Sequence, residues 1–430
     1  MRPPSLRTTV AVLTLLAPGA AAGFIGCSSS KGGGSGGGPD ASEGSVFESG
    51  VPDTGDASVT HDGSVSDAAD GGEASSGDAA EASAGDTGAD TGVGFADGGD
   101  FSGDCGVGSV GEPTDLRCTG LYGDWTSKTI ATGVVEYDPG LHLWSDGADK
   151  TRWIYLPPGQ KIDTSDMDEW TFPVGTKVWK EFRLVLGDGG TDGGAETRIE
   201  TRMIWKQAVG EWYRTTYRWT DDGVSDATEL TSGQTDVAGT TYQIPTQDEC
   251  DDCHNGRMDG VMGFEAVALS SPLASGLTMQ ALTSQGLLTA PPAAPLVIPG
   301  STSDAAVLGW LHMNCGVSCH NRGDGEAAQT NFYMRLDVAK LATEQATDTY
   351  TTGWNVPTQN FNIPDAGTTY RFHACDVGSS AAYYRADVRN GVDGVPLGVQ
   401  MPPQITHEVD QADMAAMAAW INGGCDAGAD

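Results

Sequence analysis

The stretch QDECDDCHNG, residues 247–256, sets two thiols, Cys250 and Cys253, three positions apart and follows them directly with His254. Two thiols about one helical turn apart can add to the two vinyl groups of a single haem, and the adjacent imidazole can then meet the iron from the proximal side. A zinc site would need a second ligand pair close by, and a thioredoxin-like redox pair would need a βαβ setting that the surrounding sequence lacks. The motif therefore predicts haem c attached to Cys250 and Cys253, with His254 on the iron. For the opposite face of that iron the sequence offers Met262 or His312, with Met258 and Met279 as further methionines.

A second stretch, NCGVSCHNRG at residues 314–323, repeats the chemistry with one residue more. Cys315 and Cys319 are four positions apart, and His320 follows. A disulfide beside an incidental histidine, or a decayed relic, are the competing readings. The context favours a second haem. GWLHM precedes the motif at what reads as a helix start, and VQMPPQ lies downstream. A closing helix follows near residues 410–422, with Met414, Met417, Ala418 and Ile421 on one face. Asp410 is its expected N-cap, and Gly423 and Gly424 its stop. Small cytochrome c domains commonly carry the distal methionine in such a Met-Pro segment, ahead of a final helix with an aromatic-aliphatic pair. Met401-Pro402-Pro403 and Trp420-Ile421 match that arrangement, so Met401 is the expected sixth ligand opposite His320, with Met334 the next candidate.

The chain has 430 residues, nine cysteines and a formal charge of −36. Residues 1–27 read as an export signal ending in a lipobox-like FIGC, so Cys27 is the expected lipidated residue. Residues 28–104 collapse to Gly, Ala, Ser, Asp and Glu, with Lys31 the sole lysine or arginine, and read as a disordered acidic tether. The remainder is also acidic, which argues against nucleic acid and favours a basic redox partner, with membrane contact only through the lipid. The expected location is the periplasm or the cell surface, anchored to the outer membrane. Four cysteines fall outside the lipobox and the two motifs. An exported protein is expected to pair them, and Cys105–Cys118 with Cys375–Cys425 is the favoured connectivity of three.

Residues 105–245 hold eight of the eleven tryptophans and several runs of alternating character. KEFRLVL, RIETRMIWK and EWYRTTYRW read as antiparallel strands of a meander, and the expected container for them is a β-sandwich. The tryptophans are expected in its core rather than on a glycan platform. Asp146, Asp149 and Arg152 are candidate polar contacts. The whole is thus expected to be multidomain β + α: an antiparallel β-sandwich-like domain over 105–245, then helical cytochrome c-like haem regions over 246–310 and 311–430.

SDGADKTRWIYLPPGQKI, FPVGTKVWKEF, ETRMIWK and YQIPTQDECDDCHNG together resemble a largely uncharacterised group of bacterial dihaem c-type cytochrome lipoproteins. The likeness runs from about Tyr137 to Ile421. It implies two covalent haems, on Cys250, Cys253 and His254 and on Cys315, Cys319 and His320, and a role in electron transfer. The three-residue gap between Cys315 and Cys319 departs from the usual two. Two other functions compete. One is a peroxidase-like or oxidase-like dihaem enzyme with one open iron site. The other is a β-domain binding module in which haem is accessory. The unplaced histidines His142, His312, His373 and His407 bear on the first of these.

Overall fold

The alternating runs do form long strands. A computed structural model describes residues 112–187, 194, 196–323, 327–403 and 405–426. The signal, Cys27, the tether and Cys105 lie outside the described residues. A short ribbon pairs β1 (Tyr122–Asp124) with β2 (Thr129–Ile130). The main sheet is antiparallel and contains β3 (Val134–Asp138), β4 (Asp149–Tyr155), β5 (Lys177–Val185), β6 (Glu196–Ala208), β7 (Glu211–Trp219), β8 (Ala227–Glu229) and β9 (Ser275–Gly276). Its spatial order is β8-β7-β6-β5-β4-β3-β9. Six strands therefore run as a meander in chain order, and the seventh arrives from beyond the first motif to pair with β3.

This corrects the sandwich expectation. Among the described residues the region is built on a single seven-stranded sheet, and no second large sheet packs on it. One face carries Trp153, Tyr155, Trp179, Met203, Tyr217 and Trp219, covered by Leu116, Leu121 and Tyr122 from the segment before β2. The other carries Ile154, Val178 and Ile204, covered by Trp170, Phe172, Phe264, Leu269, Leu282 and Leu288. The alternation revealed strands with two buried faces, but the covering layer is made of short helices and loops. Trp153, Trp170, Trp179 and Trp219 are buried, and the other four tryptophans of this region are half-buried. Trp125, Trp205 and Trp212 pack against these cores as expected, while Trp144 joins none of them.

The helices are α1 (Gln247–His254), α2 (Ala266–Leu269), α3 (Met279–Ser284), α4 (Thr302–Leu311), α5 (Asp348–Gly353), α6 (Ala381–Ala386) and α7 (Gln411–Gly423). Thr246 caps α1 in a reciprocal box with Glu249, which fixes where the first motif begins. Ser301 and Asp304 do the same for α4. The closing helix α7 starts at its expected cap, with the Asp410 carboxylate accepting from Asp413 N–H, and ends at Gly423. Its Met414, Met417, Trp420 and Ile421 pack on Val307, Leu308 and Leu311 of α4. No helix among the described residues is long and apolar enough to cross a membrane.

Phe264, Leu269, Leu282 and Leu288 share a core with the sheet, so the 246–310 segment packs as part of the β region's cover. The clamp at this junction is buried and ionic. Lys206 of β6 reaches both oxygens of Asp259 at 2.8 and 2.7 Å, while Trp212 Nε1 and Phe172 N also donate to that carboxylate. Arg214 of β7 adds an ion pair to Asp251 on α1, at 2.6 Å. Cys375 and Cys425 form the expected disulfide, with Cα atoms 4.8 Å apart, tying the segment before α6 to the end of α7.

Candidate functional site

Each motif histidine is held the same way. His254 Nδ1 lies 2.5 Å from the Gly260 carbonyl, and His320 Nδ1 lies 2.9 Å from the Phe332 carbonyl. A carbonyl only accepts, so Nδ1 carries the proton in both rings and Nε2 keeps its lone pair. This is the tautomer and orientation a metal-binding imidazole needs. Burial also keeps both rings neutral: it pushes His254 down to about 4 and lowers His320 too.

Two cavities adjoin these rings. The first, of about 190 Å³, is lined by Cys250, Cys253 and His254 together with Met262 and residues of the sheet face. The second, of about 310 Å³, is lined by Cys315, Cys319 and His320 together with Met401, Met334 and Met417. Thiols and imidazole of each motif thus share one wall beside an open volume. Burial pushes the Cys253 and Cys315 thiols up to about 12 and raises Cys250, so all three remain protonated. Among the described residues no three His, Cys, Asp or Glu side chains converge as a metal-binding group. A haem asks for less from the protein: two thiols at its edge and one imidazole at its iron. The residues present fit that demand at both motifs.

The extra residue of the second motif is absorbed by a wider turn. The chain does not start a helix there, as expected, but leaves the end of α4 in a π-helical turn over His312–Gly316. Val317 N donates to the His312 carbonyl and His320 N to the Cys315 carbonyl, each at 2.8 Å and five residues back. Such single π turns recur at functional sites because they re-aim side chains without ending the helix. Here the turn keeps Cys315 and Cys319 on the wall of one cavity.

Met401 reaches the second cavity on a loop secured from α6. Its N–H donates to the Arg385 carbonyl at 2.8 Å, and the Arg385 guanidinium donates to the carbonyls of Val399 and Gly398. Asp146, a candidate polar contact, holds the far end of that loop by accepting from His407 N and Glu408 N. Asp149 instead pairs with Arg183 on the sheet. Met334 also lines the cavity, but its N–H bonds to the His320 carbonyl, so its backbone belongs to the proximal segment.

His312, a candidate iron ligand at the first motif, lies on neither cavity wall. It is fully buried, its Nδ1 accepts from Leu336 N at 3.0 Å, and its Nε2 meets Glu265 at 3.3 Å. With both ring nitrogens engaged and no place on either cavity wall, it is a structural bridge to the cap of α2. Met258 is exposed and Met279 is in the core, and neither lines the first cavity. Met262 does, with its sulfur accepting from Ser318 Oγ at 2.8 Å. His142 pairs with Asp138, His373 stacks on Tyr370, and His407 meets Gln243, all off both cavity walls.

Two features escaped the sequence reading. The cavities share Asn314, Cys319, Pro402 and Pro403 in their walls, so the motifs are neighbours although Gly256 and Ser318 lie 62 positions apart in the chain. Asn321, buried, fastens them by donating to the carbonyls of Gly256, Gly316 and Val317. The second is a set of cations on the sheet. Lys180 lies between Val178 and Phe182 on an inward face, a signal visible in the alternation itself. Comparison of the chain with protein-family models, curated proteins and solved structures found no match.

Proposed function

We propose that the chain is an exported dihaem c-type cytochrome that transfers electrons through two adjacent haems. The observation that carries this reading is the shared geometry of His254 and His320. Each donates Nδ1–H to a backbone carbonyl, which leaves Nε2 unprotonated, and each ring lines a cavity whose wall also bears the two thiols of its own motif. Haem c, when bound, supplies the one-electron carrier. Cys250 and Cys253 would hold the first at its edge and Cys315 and Cys319 the second, with Met401 as the distal ligand to the second. The common cavity wall suits exchange of electrons between the two.

The region from α4 to α7 then acts as a cytochrome c-like domain, and the sheet as a wall of the first haem site rather than a separate binding module. The acidic surface suits a basic redox partner. Cys27 lipidation would tether the protein to the outer membrane, and loss of the haem protein from the membrane fraction in Cys27→Ser tests that part. For the function itself, the chain is matured with a haem c assembly system and its haem counted and reduced. Two low-spin haems per chain support the proposal, and fewer than two contradict it.

One observation favours a second reading, small-molecule chemistry at the first haem. Met262 is the lone methionine on that cavity's wall besides Met203 of the sheet, with no histidine there other than His254 among the described residues, and its sulfur already accepts a hydrogen bond. Carbon monoxide binding to the ferrous protein separates the two: uptake at the first haem supports an open site, and no uptake supports electron transfer alone.

A further inference from the structure

Three cations stand in a row across the sheet face that walls the first cavity. Arg152 in β4 is directly opposite Lys180 in β5, and Lys180 is directly opposite Arg202 in β6. All three line the cavity with Cys250, Cys253 and His254. Like charges opposite one another on neighbouring strands oppose folding. In a chain with only 23 lysines and arginines against 59 acidic residues, such a row is conspicuous.

Among the described residues, only Arg202 of the three has a carboxylate within hydrogen-bond distance. Arg202 makes a bidentate pair with Glu200 at 2.9 and 2.6 Å, and Tyr242 donates to the same carboxylate. Arg152 is 5% exposed, its Nη1 has no hydrogen-bond partner, and the carboxylate it approaches, Asp138, stays 3.8 Å away. Lys180 has no hydrogen bond or ion pair among the described residues and lies 5.1 Å from the Phe182 ring centre. Burial pushes its ammonium well below the usual lysine range, and Arg152, Lys150 and Arg202 press it further the same way. A buried polar group without a partner costs stability, and a buried charge costs more.

The rest of the molecule sharpens the contrast. Elsewhere on the sheet Arg183, Lys206 and Arg214 each have a carboxylate. In the second cavity Arg371 donates to the carbonyls of Asn331, Thr352 and Thr330, and Arg385 to those of Val399 and Gly398. Arg152 and Lys180 are thus the two cations on this cavity's wall with no carboxylate in hydrogen-bond range among the described residues.

We propose that Arg152 and Lys180 form a carboxylate-binding site inside the first cavity, and that its occupants are the carboxylate side chains of the haem. The proposal rests on the reading of this cavity as a haem site. The sheet would then neutralise the haem's acid groups and set the charge around its iron. Removing a fixed positive charge there favours the ferric form, so the potential of that haem falls.

The test uses the full chain matured with haem, as wild type, Lys180→Met, Arg152→Gln and the charge-keeping Arg152→Lys. Covalent haem content is checked first by mass; a wild type without haem on Cys250 and Cys253 would refute the underlying haem reading rather than this assignment. In Lys180→Met and Arg152→Gln the reduction equilibrium of the first haem should shift at least tenfold towards ferric, ~59 mV for a one-electron couple. The second haem should stay put, Arg152→Lys should restore most of the shift, and added acetate or phosphate should leave the wild type unchanged. An unaltered first potential in both neutral variants overturns the proposal. So does a wild-type response to acetate or phosphate that the variants lose, since the site would then take a free anion.

Discussion

Gly256, two residues past His254, and Ser318, inside the second motif, meet backbone to backbone: a Cβ on Gly256 would overlap the Ser318 carbonyl oxygen. No flexible side chain could yield to relieve that overlap, because the atoms opposite are main chain. Gly256→Ala should therefore force the motifs apart. We expect a loss of roughly 1–3 kcal/mol in chemical denaturation, with the spectra of both haems altered together. A variant as stable as wild type, with both spectra intact, would show that the motifs do not depend on this contact.

Met401→Ala should act on one haem alone. A thioether opposite imidazole raises the potential of haem iron, so its loss should lower the second haem's potential or turn that haem high-spin. The first haem should be unchanged. If the spectrum and the redox titration are both unaltered, Met401 is not the ligand, and Met334, on the same cavity wall, takes its place.

Asp259 is where the first motif's loop is clamped to the sheet. Asp259→Ala leaves Lys206 charged and buried, with Trp212 Nε1 and Phe172 N also deprived of their acceptor. Breaking one side of a buried pair costs about 3–5 kcal/mol. Thermal or denaturant unfolding reads it directly, and a cost near zero would mean the clamp is dispensable.

Much of this was legible in the chain. The strands β5, β6 and β7 follow from period-2 alternation in KEFRLVL, RIETRMIWK and EWYRTTYRW, because one period fits a strand and no helix. The closing helix follows from Asp410 at its cap and glycines at its end. What covers the strands was not legible, since Phe264, Leu282 and Leu288 come from segments whose pattern says only that they are apolar. Nor was the meeting of Gly256 with Ser318, a tertiary contact with no local signal. Cys315-Gly-Val-Ser-Cys319 is one residue longer than the first motif, and the π turn over His312–Gly316 that leads into it has no local pattern in the chain. His312 stood beside a motif in sequence, yet its ring is spent on Glu265 and Leu336.

That bridge gives the acid behaviour a sign. Burial alone would raise the Glu265 carboxyl, but His312, Arg257 and the N–H groups capping α2 outweigh it and hold the group down at about 2, below its ordinary 4.5. A depressed carboxyl contributes stability that is present above its ordinary range and lost as pH falls from 4.5 towards 2. Glu265→Gln should cost about 1–3 kcal/mol at pH 7, and the gap to wild type should narrow between pH 4.5 and pH 2. A gap that is constant over that window would mean the charge on Glu265 contributes nothing.

Both motifs are proposed to carry covalent haem, the second despite its added residue. Intact mass of the matured chain under denaturing conditions tests it most directly, because non-covalent haem is lost and thioether-bound haem is kept. The expected mass is that of the chain plus two haems, with Cys250, Cys253, Cys315 and Cys319 all blocked to thiol reagents. A mass corresponding to one haem, with Cys315 and Cys319 joined as a disulfide, would contradict it.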